Sequence, residues 1–202
     1  MAKSRIKYIC SNCGYESLRW LGKCPECESW NSFTEEIIET SRRKPTITKS
    51  KFELNTIETI SANEDDRIKT GIGELDRVLG GGLIPGSVIL LGGDPGIGKS
   101  TLAMQASANI NQKVLYVTGE ESEKQIKLRA SRLKLKSSDF YIQAETNLSD
   151  ILGAINQLNP SVVVIDSIQT MYRSELDNSP GTITQVRECT SLLMDEAKKK
   201  HF

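Results

Sequence analysis

Histidine is almost absent from this chain: one residue in 202, His201, stands next to the last. A single near-terminal imidazole removes every His-based catalytic triad from consideration. Charge of one sign is also missing. Lys and Arg number 26 and Asp and Glu 26, a formal net charge of +0, so any contact with nucleic acid has to come from local patches rather than bulk basicity. No aliphatic run exceeds a few residues, far short of the roughly 20 a membrane-spanning helix needs. The amino terminus, Met1-Ala2-Lys3-Ser4-Arg5-Ile6-Lys7, is basic but leads into no apolar stretch of the signal-peptide kind. Cysteine is scarce, five in all, yet four lie within the first thirty residues. In a chain without an export signal that bunching favours metal over disulfides, and the cytoplasm as compartment. What remains is ordinary: 38% hydrophobic and 26% charged residues, enough for one medium domain and a small appendage.

The most informative stretch is Gly93-Asp94-Pro95-Gly96-Ile97-Gly98-Lys99-Ser100, followed by Thr101, which fits the phosphate-loop pattern G-x-x-x-x-G-K-[ST] throughout. Ser87–Leu91 before it is apolar with strand character, and 101–109 after it reads as a helix. Glycines let backbone N–H groups curl around phosphates, and the positive end of the following helix faces them. In that pattern Lys99 reaches the β- and γ-phosphates of ATP and the Ser100 hydroxyl ligates Mg2+. A glycine-rich turn matching by chance is the alternative.

Cys10-Ser11-Asn12-Cys13 and Cys24-Pro25-Glu26-Cys27 form two C-x-x-C knuckles separated by a short hairpin. Four thiolates close a tetrahedral shell and suit structural Zn2+, with no open position for catalysis. Disulfides or a redox C-x-x-C are the alternative. Trp20, Trp30 and Phe33 are either the miniature core of this ribbon or stacking platforms for bases. Residues 34–66 mix acidic and basic clusters with Ser and Thr and read as a linker. A short strand is expected at Phe52-Glu53-Leu54, and Arg42-Arg43-Lys44 is either solvated or set against phosphates. The expected domains are therefore 1–33, 34–66 and 67–202.

From Arg67 onward strands and helices alternate, as in a parallel α/β sheet with right-handed crossovers. Strands are expected at 88–91, 113–118, 140–142 and 162–165, and helices at 101–109, 122–133, 150–158 and after Pro180. Ile183, Val186, Cys189 or Thr190, and Leu193 share a helical stripe, which makes Cys189 a core residue. Asp166 ends the apolar strand Val162–Ile165 in the Walker B manner, where a carboxylate sits beside the phosphate loop and holds the Mg2+ hydration shell. Glu120 and Glu121 follow the next strand after the loop, and one of them can face the γ-phosphate and activate water. Glu120 is favoured because it lies nearer the strand end. Lys124, Lys127, Arg129, Arg132, Lys134 and Lys136 form a basic stretch, either a solvated helix face or a DNA groove.

At these residues the chain resembles the RadA, or Sms, family of bacterial DNA repair proteins. The resemblance rests on the four-cysteine ribbon, on Gly71 to Leu83, on Gly92 to Thr101, on Val117-Thr118-Gly119-Glu120-Glu121-Ser122 and on Ile165-Asp166-Ser167-Ile168-Gln169-Thr170. It covers nearly everything except the linker. It implies a zinc ribbon followed by a RecA-like P-loop ATPase core, hexameric when full length. Such a protein hydrolyses ATP on single-stranded and branched DNA, works with a RecA-type recombinase and promotes branch migration. By the same resemblance Glu120 is the catalytic glutamate, and 174–186, with Pro180-Gly181, is the first DNA-facing loop. The family's Lys-Asn-Arg-Phe-Gly motif and Lon-protease-like carboxyl domain do not occur before Phe202, so the sequence is expected to be an amino-terminal fragment. Two other readings stand beside this one: another RecA-like ATPase of the replicative-helicase or circadian-clock type, and a zinc-ribbon module that binds nucleotide only as a switch.

Overall fold

A computed structural model describes residues 4–39, 56–59, 67–135 and 138–202, in two compact units, Met1–Asn63 and Glu64–Phe202. The expected strand at Phe52–Leu54 and the cluster Arg42-Arg43-Lys44 lie outside the described residues.

The first unit is a three-stranded antiparallel sheet in the order β2-β1-β3, built from β1 (Ser4–Cys10), β2 (Glu16–Ser17) and β3 (Phe33–Glu39). Pairing of β1 with β3 runs from Cys10↔Phe33 to Ser4↔Glu39, so the ribbon's sheet extends past residue 33, where the sequence suggested a linker. A segment that finds a ladder partner becomes a strand whatever its composition suggests. The small core holds Cys10, Cys24 and Phe33, with Tyr8, Leu21 and Cys27 against it, and Tyr15 meets Phe33 edge-on at 6.4 Å. Trp20 and Trp30 do not join that core: they are 54% and 72% exposed. The knuckles and Phe33 already fill the little space that so small a sheet encloses.

The second unit carries a parallel sheet in the order β5-β4-β6, from β4 (Val114–Thr118), β5 (Phe140–Ala144) and β6 (Val162–Asp166). Around it run α1 (Gly73–Val78), α2 (Lys99–Asn109), α3 (Glu123–Arg132), α4 (Leu148–Leu158) and α5 (Ile183–Lys200). The central strand β4 is buried along its whole length, which is why Val114-Leu115-Tyr116-Val117 reads as an unbroken apolar run. Leu115 and Val117 pack on Ile151 and Ile155 of α4 and on Cys189 and Leu193 of α5. Tyr116 packs with Met104 of α2 and Ile126 of α3. Cys189 is fully buried, and burial raises its thiol pKa above the ordinary value, as expected of a core cysteine.

Helix starts follow local chemistry. Ser122 and Gln125 form a reciprocal capping box for α3, and Asn147 and Thr182 cap α4 and α5. The cap at Asn147 starts α4 at Leu148, two residues before the expected start. Two further expectations need correction. Residues 88–91 form no strand among the described residues; Val88, Ile89, Leu90 and Leu91 stay 50%, 49%, 87% and 43% exposed. Strand propensity without a neighbouring edge leaves backbone groups unpaired, so the apolar run does not by itself make a strand. The loop expected over 174–186 is shorter, because α5 begins at Ile183. Gln185, 1% exposed, pins that loop: it accepts from Arg173 N–H at 2.9 Å and donates to the carbonyls of Asn178 and Arg173 at 2.8 and 3.2 Å.

Candidate nucleotide site and metal centre

The phosphate loop hangs between 92 and the first turn of α2. Gly98 supplies the left-handed residue (φ 100°) that turns the chain into the helix, a conformation costly for any side chain. With Gly93 and Gly96 also at positive φ, backbone N–H groups are free to line a concave loop. Lys99 folds back over that loop and donates to the carbonyls of Gly93 and Asp94, both at 2.8 Å. Its ammonium therefore lies over the loop that an anionic group would occupy. Asp94, Pro95 and Ile97 are exposed loop positions, and Thr101 follows in the first turn of α2.

Asp166 ends β6 opposite Thr118 of β4. Its Oδ1 accepts from Ser100 Oγ at 3.1 Å, and its Oδ2 accepts from the Tyr116 hydroxyl at 2.5 Å. A hydroxyl and a carboxylate converging beside a phosphate loop are hard oxygen donors of the kind Mg2+ accepts, so the residues present fit a Mg2+–nucleotide complex. Burial, then the hydrogen bond to Asp166, hold the Tyr116 phenol well above its ordinary pKa, so it serves as a donor.

The two glutamates part ways. Glu121 pairs with Arg129 of α3, and its backbone N–H donates to Thr118 Oγ1 at 3.1 Å. Glu120 is exposed, and its Oε1 accepts from Ser167 Oγ, the residue after Asp166, at 3.2 Å. Gly119 brings these segments together. A Cβ there would stand 1.9 Å from Thr170 Oγ1 and 2.6 Å from Thr170 Cβ, while its N–H donates to the Asp166 carbonyl at 3.0 Å. Of the basic stretch, Arg129 is taken up by Glu121, Lys124, Lys127 and Arg132 lie exposed, and Lys136 lies outside the described residues.

In the ribbon the sulfurs of Cys10, Cys13, Cys24 and Cys27 lie within 4.8 Å of one another. Cys10–Cys27 and Cys13–Cys24 approach to 3.6 and 3.5 Å, close to the edge of about 3.8 Å that a tetrahedron of Zn–S bonds would have. Each knuckle repeats one pattern: a residue at positive φ, Gly14 or Glu28, donates its N–H to the carbonyl of Cys10 or Cys24, at 2.8 and 3.0 Å. The Ser29 hydroxyl, then the Asn12 amide and the Ser29 N–H, hold the Cys27 thiol down to about 5, whereas at Cys13, against the lowering effect of the Tyr15 backbone, burial and the neighbouring sulfurs push the thiol up to about 12. The four residues fit a zinc ion.

Comparison with known proteins agrees with both halves. A rubredoxin metal-binding-domain model matches residues 8–35, and a KaiC ATPase model matches 68–152. DNA repair protein RadA of Bacillus subtilis is 47% identical over 211 residues, taking in 99% of this chain and 45% of that protein. RadA of Haemophilus influenzae is 44% identical over 99% of this chain and 46% of its own length, and RadA of Synechocystis 41% over 100% and 47%. Over the span it covers, the chain belongs to the RadA family. It spans about half the length of the RadA proteins it matches. A crystal structure of the RadB recombinase is 29% identical, covering 67% of this chain and 66% of that one, with a TM-score of 0.49. No helix among the described residues is long and apolar enough to cross a membrane.

Several participants were not read from the sequence. Tyr116 sits in mid-strand among aliphatic residues, where its ring fully accounts for its presence. The sign that was available is the period of two: Tyr116 and Thr118 share a face with Asp166. Ser167 and Gln185 carried no signal, because a serine after a strand and a glutamine on a helix have too many ordinary roles.

Proposed function

We propose that this chain is the ribbon and nucleotide-binding part of a DNA-dependent ATPase of recombinational repair, acting on single-stranded and branched DNA. The observation that carries the reading is the convergence of Lys99, Ser100 and Asp166 on one loop, in a sequence matched to RadA proteins from end to end. Backbone N–H groups of the loop and the Lys99 ammonium bind the phosphates. Ser100 and Asp166 supply oxygens for the cation, and Mg2+, when bound, offsets the charge that develops on the β- and γ-phosphates. Glu120 takes the role of base. It is exposed at the end of β4 and bonded to Ser167, whereas Glu121 is occupied by Arg129. Cys10, Cys13, Cys24 and Cys27 hold Zn2+ and give a small sheet the folding energy its few core residues lack. The residues between Glu39 and Arg67 join ribbon to core. Assembly as a hexamer, a RecA-type recombinase as partner, branch migration and a cytoplasmic location belong to the same proposal.

The test is ATP hydrolysis measured with and without single-stranded DNA on a RadA-length protein carrying this sequence, as wild type and as Glu120→Gln. DNA-stimulated turnover is expected in the wild type. Glu120→Gln should retain ATP binding while losing turnover by 100-fold or more, roughly the range of a general base. Equal turnover in wild type and Glu120→Gln, with loss in Glu121→Gln, would assign the base to the neighbour. Turnover unaffected by DNA would favour another RecA-like ATPase, and nucleotide binding without turnover the nucleotide-switch reading.

A further inference from the structure

Asp166 is held at both oxygens, and only one holder belongs to the phosphate-loop motif. Ser100 reaches Oδ1 at 3.1 Å from α2. From the floor of the sheet, the Tyr116 hydroxyl reaches Oδ2 at 2.5 Å. The register explains how. Tyr116 pairs with Val164 and Thr118 with Asp166, so Tyr116 and Asp166 lie on the same face, offset by two residues along neighbouring strands. That diagonal is within reach of an aromatic side chain. The ring itself is fixed: Tyr116 is 0% exposed, packs with Met104 and Ile126, and meets Phe140 edge-on with centroids 5.7 Å apart. A fully buried hydroxyl whose one hydrogen goes to a carboxylate makes a short, charge-assisted bond, and it fixes the rotation of that carboxylate about its Cβ–Cγ bond.

We propose that Tyr116 is a positioning residue for Asp166: by occupying Oδ2 from below, it turns Oδ1 toward Ser100 and the cation side of the loop. The inference rests on the nucleotide reading above. An Asp at a strand end has several rotamers, and without the buried phenol nothing in the sheet chooses among them. Such outer partners of metal-facing carboxylates act through orientation, and losing one typically costs 10- to 100-fold in metal affinity.

Tyr116→Phe removes one oxygen and keeps the ring, so the core between β4, α2 and α3 keeps its volume. In the 202-residue chain, binding of a fluorescent ATP analogue is followed at increasing Mg2+, and separately in EDTA. The Mg2+ concentration for half-saturation should rise roughly tenfold in Tyr116→Phe, while affinity in EDTA stays within about twofold. An unchanged Mg2+ requirement would overturn the proposal. So would equal weakening with and without Mg2+, which would make Tyr116 packing alone. Wild-type chain that binds no nucleotide with Mg2+ would overturn the nucleotide reading and this inference with it. Should Tyr116→Phe not fold, wild-type chain labelled with 3-fluorotyrosine serves instead. Tyr116 is the one fully buried tyrosine of the five. Its solvent-protected fluorine resonance should shift when Mg2+ is added to the nucleotide-bound chain, and a resonance that does not move would overturn the proposal.

Discussion

Lys99→Ala separates binding from folding more cleanly than other substitutions in the loop. In the free protein the Lys99 ammonium donates to the carbonyls of Gly93 and Asp94, at 2.8 Å each, and both carbonyls belong to an exposed loop. Removing the side chain hands them to water, so thermal stability should change by no more than about 0.5 kcal/mol, the ordinary range for an exposed substitution. The bound state is different. There the ammonium is expected to exchange carbonyls for phosphate oxygens, and a hydrogen bond to a charged group is worth about 1.5–3 kcal/mol. The predicted loss in ATP affinity is therefore roughly 10- to 150-fold with an almost unchanged melting curve. Calorimetric titration of ATP with Mg2+, beside a thermal melt followed by circular dichroism, measures both quantities. Unchanged affinity in a folded Lys99→Ala protein would refute the assigned role. A large fall in melting temperature would show that the lysine braces the loop rather than awaiting a phosphate.

Metal analysis should find one zinc per chain, lost in Cys24→Ser, and zinc affinity should fall in acid as the thiolates take up protons; two disulfides and no zinc would contradict the ribbon assignment. Gly119→Ala sets a methyl against Thr170 and should destabilise the second unit by about 1–3 kcal/mol in denaturant melts, with a neutral effect counting against the close approach of β4 to 168–170. Glu145 accepts from the N–H groups of Asn147 and Thr146 at 2.9 and 2.7 Å, and these bonds hold its carboxyl below the ordinary 4.5. Its contribution is thus present above that value and fades as pH falls through the lower folded value. Glu145→Gln should lower stability at neutral pH by the lost charge assistance and flatten the acid side of the curve below about pH 4.5, where the variant and the wild type converge.

Much of the second unit was legible because its signals are local. Val162–Ile165 is apolar without alternation and is a strand of the parallel sheet, and the Ile151/Ile155 spacing put α4 against the core. The knuckle spacing brought four sulfurs together. What failed was set by partners distant in sequence. Residues 88–91 have strand composition but no ladder among the described residues, whereas 34–39, which reads as the start of a linker, finds β1 alongside. The tryptophans of the ribbon look like core by residue type, yet a sheet of three short strands encloses too little volume to take them. Within the proposed nucleotide site, the loop and Asp166 carry local motif signatures. The Tyr116 bond to Asp166 and the split between Glu120 and Glu121 depend on register and on Arg129 of α3, which no local pattern encodes.

Gly93 to Ser100 and Asp166 are proposed to form one Mg2+-dependent nucleotide site. Calorimetric titration of ATP into the zinc-loaded 202-residue chain, with Mg2+ and again with EDTA, tests it most directly. One nucleotide per chain is expected, bound more tightly with Mg2+ and weakened at least tenfold by Lys99→Ala. Failure of a folded, zinc-loaded chain to take up ATP, or binding indifferent to Lys99, would contradict it.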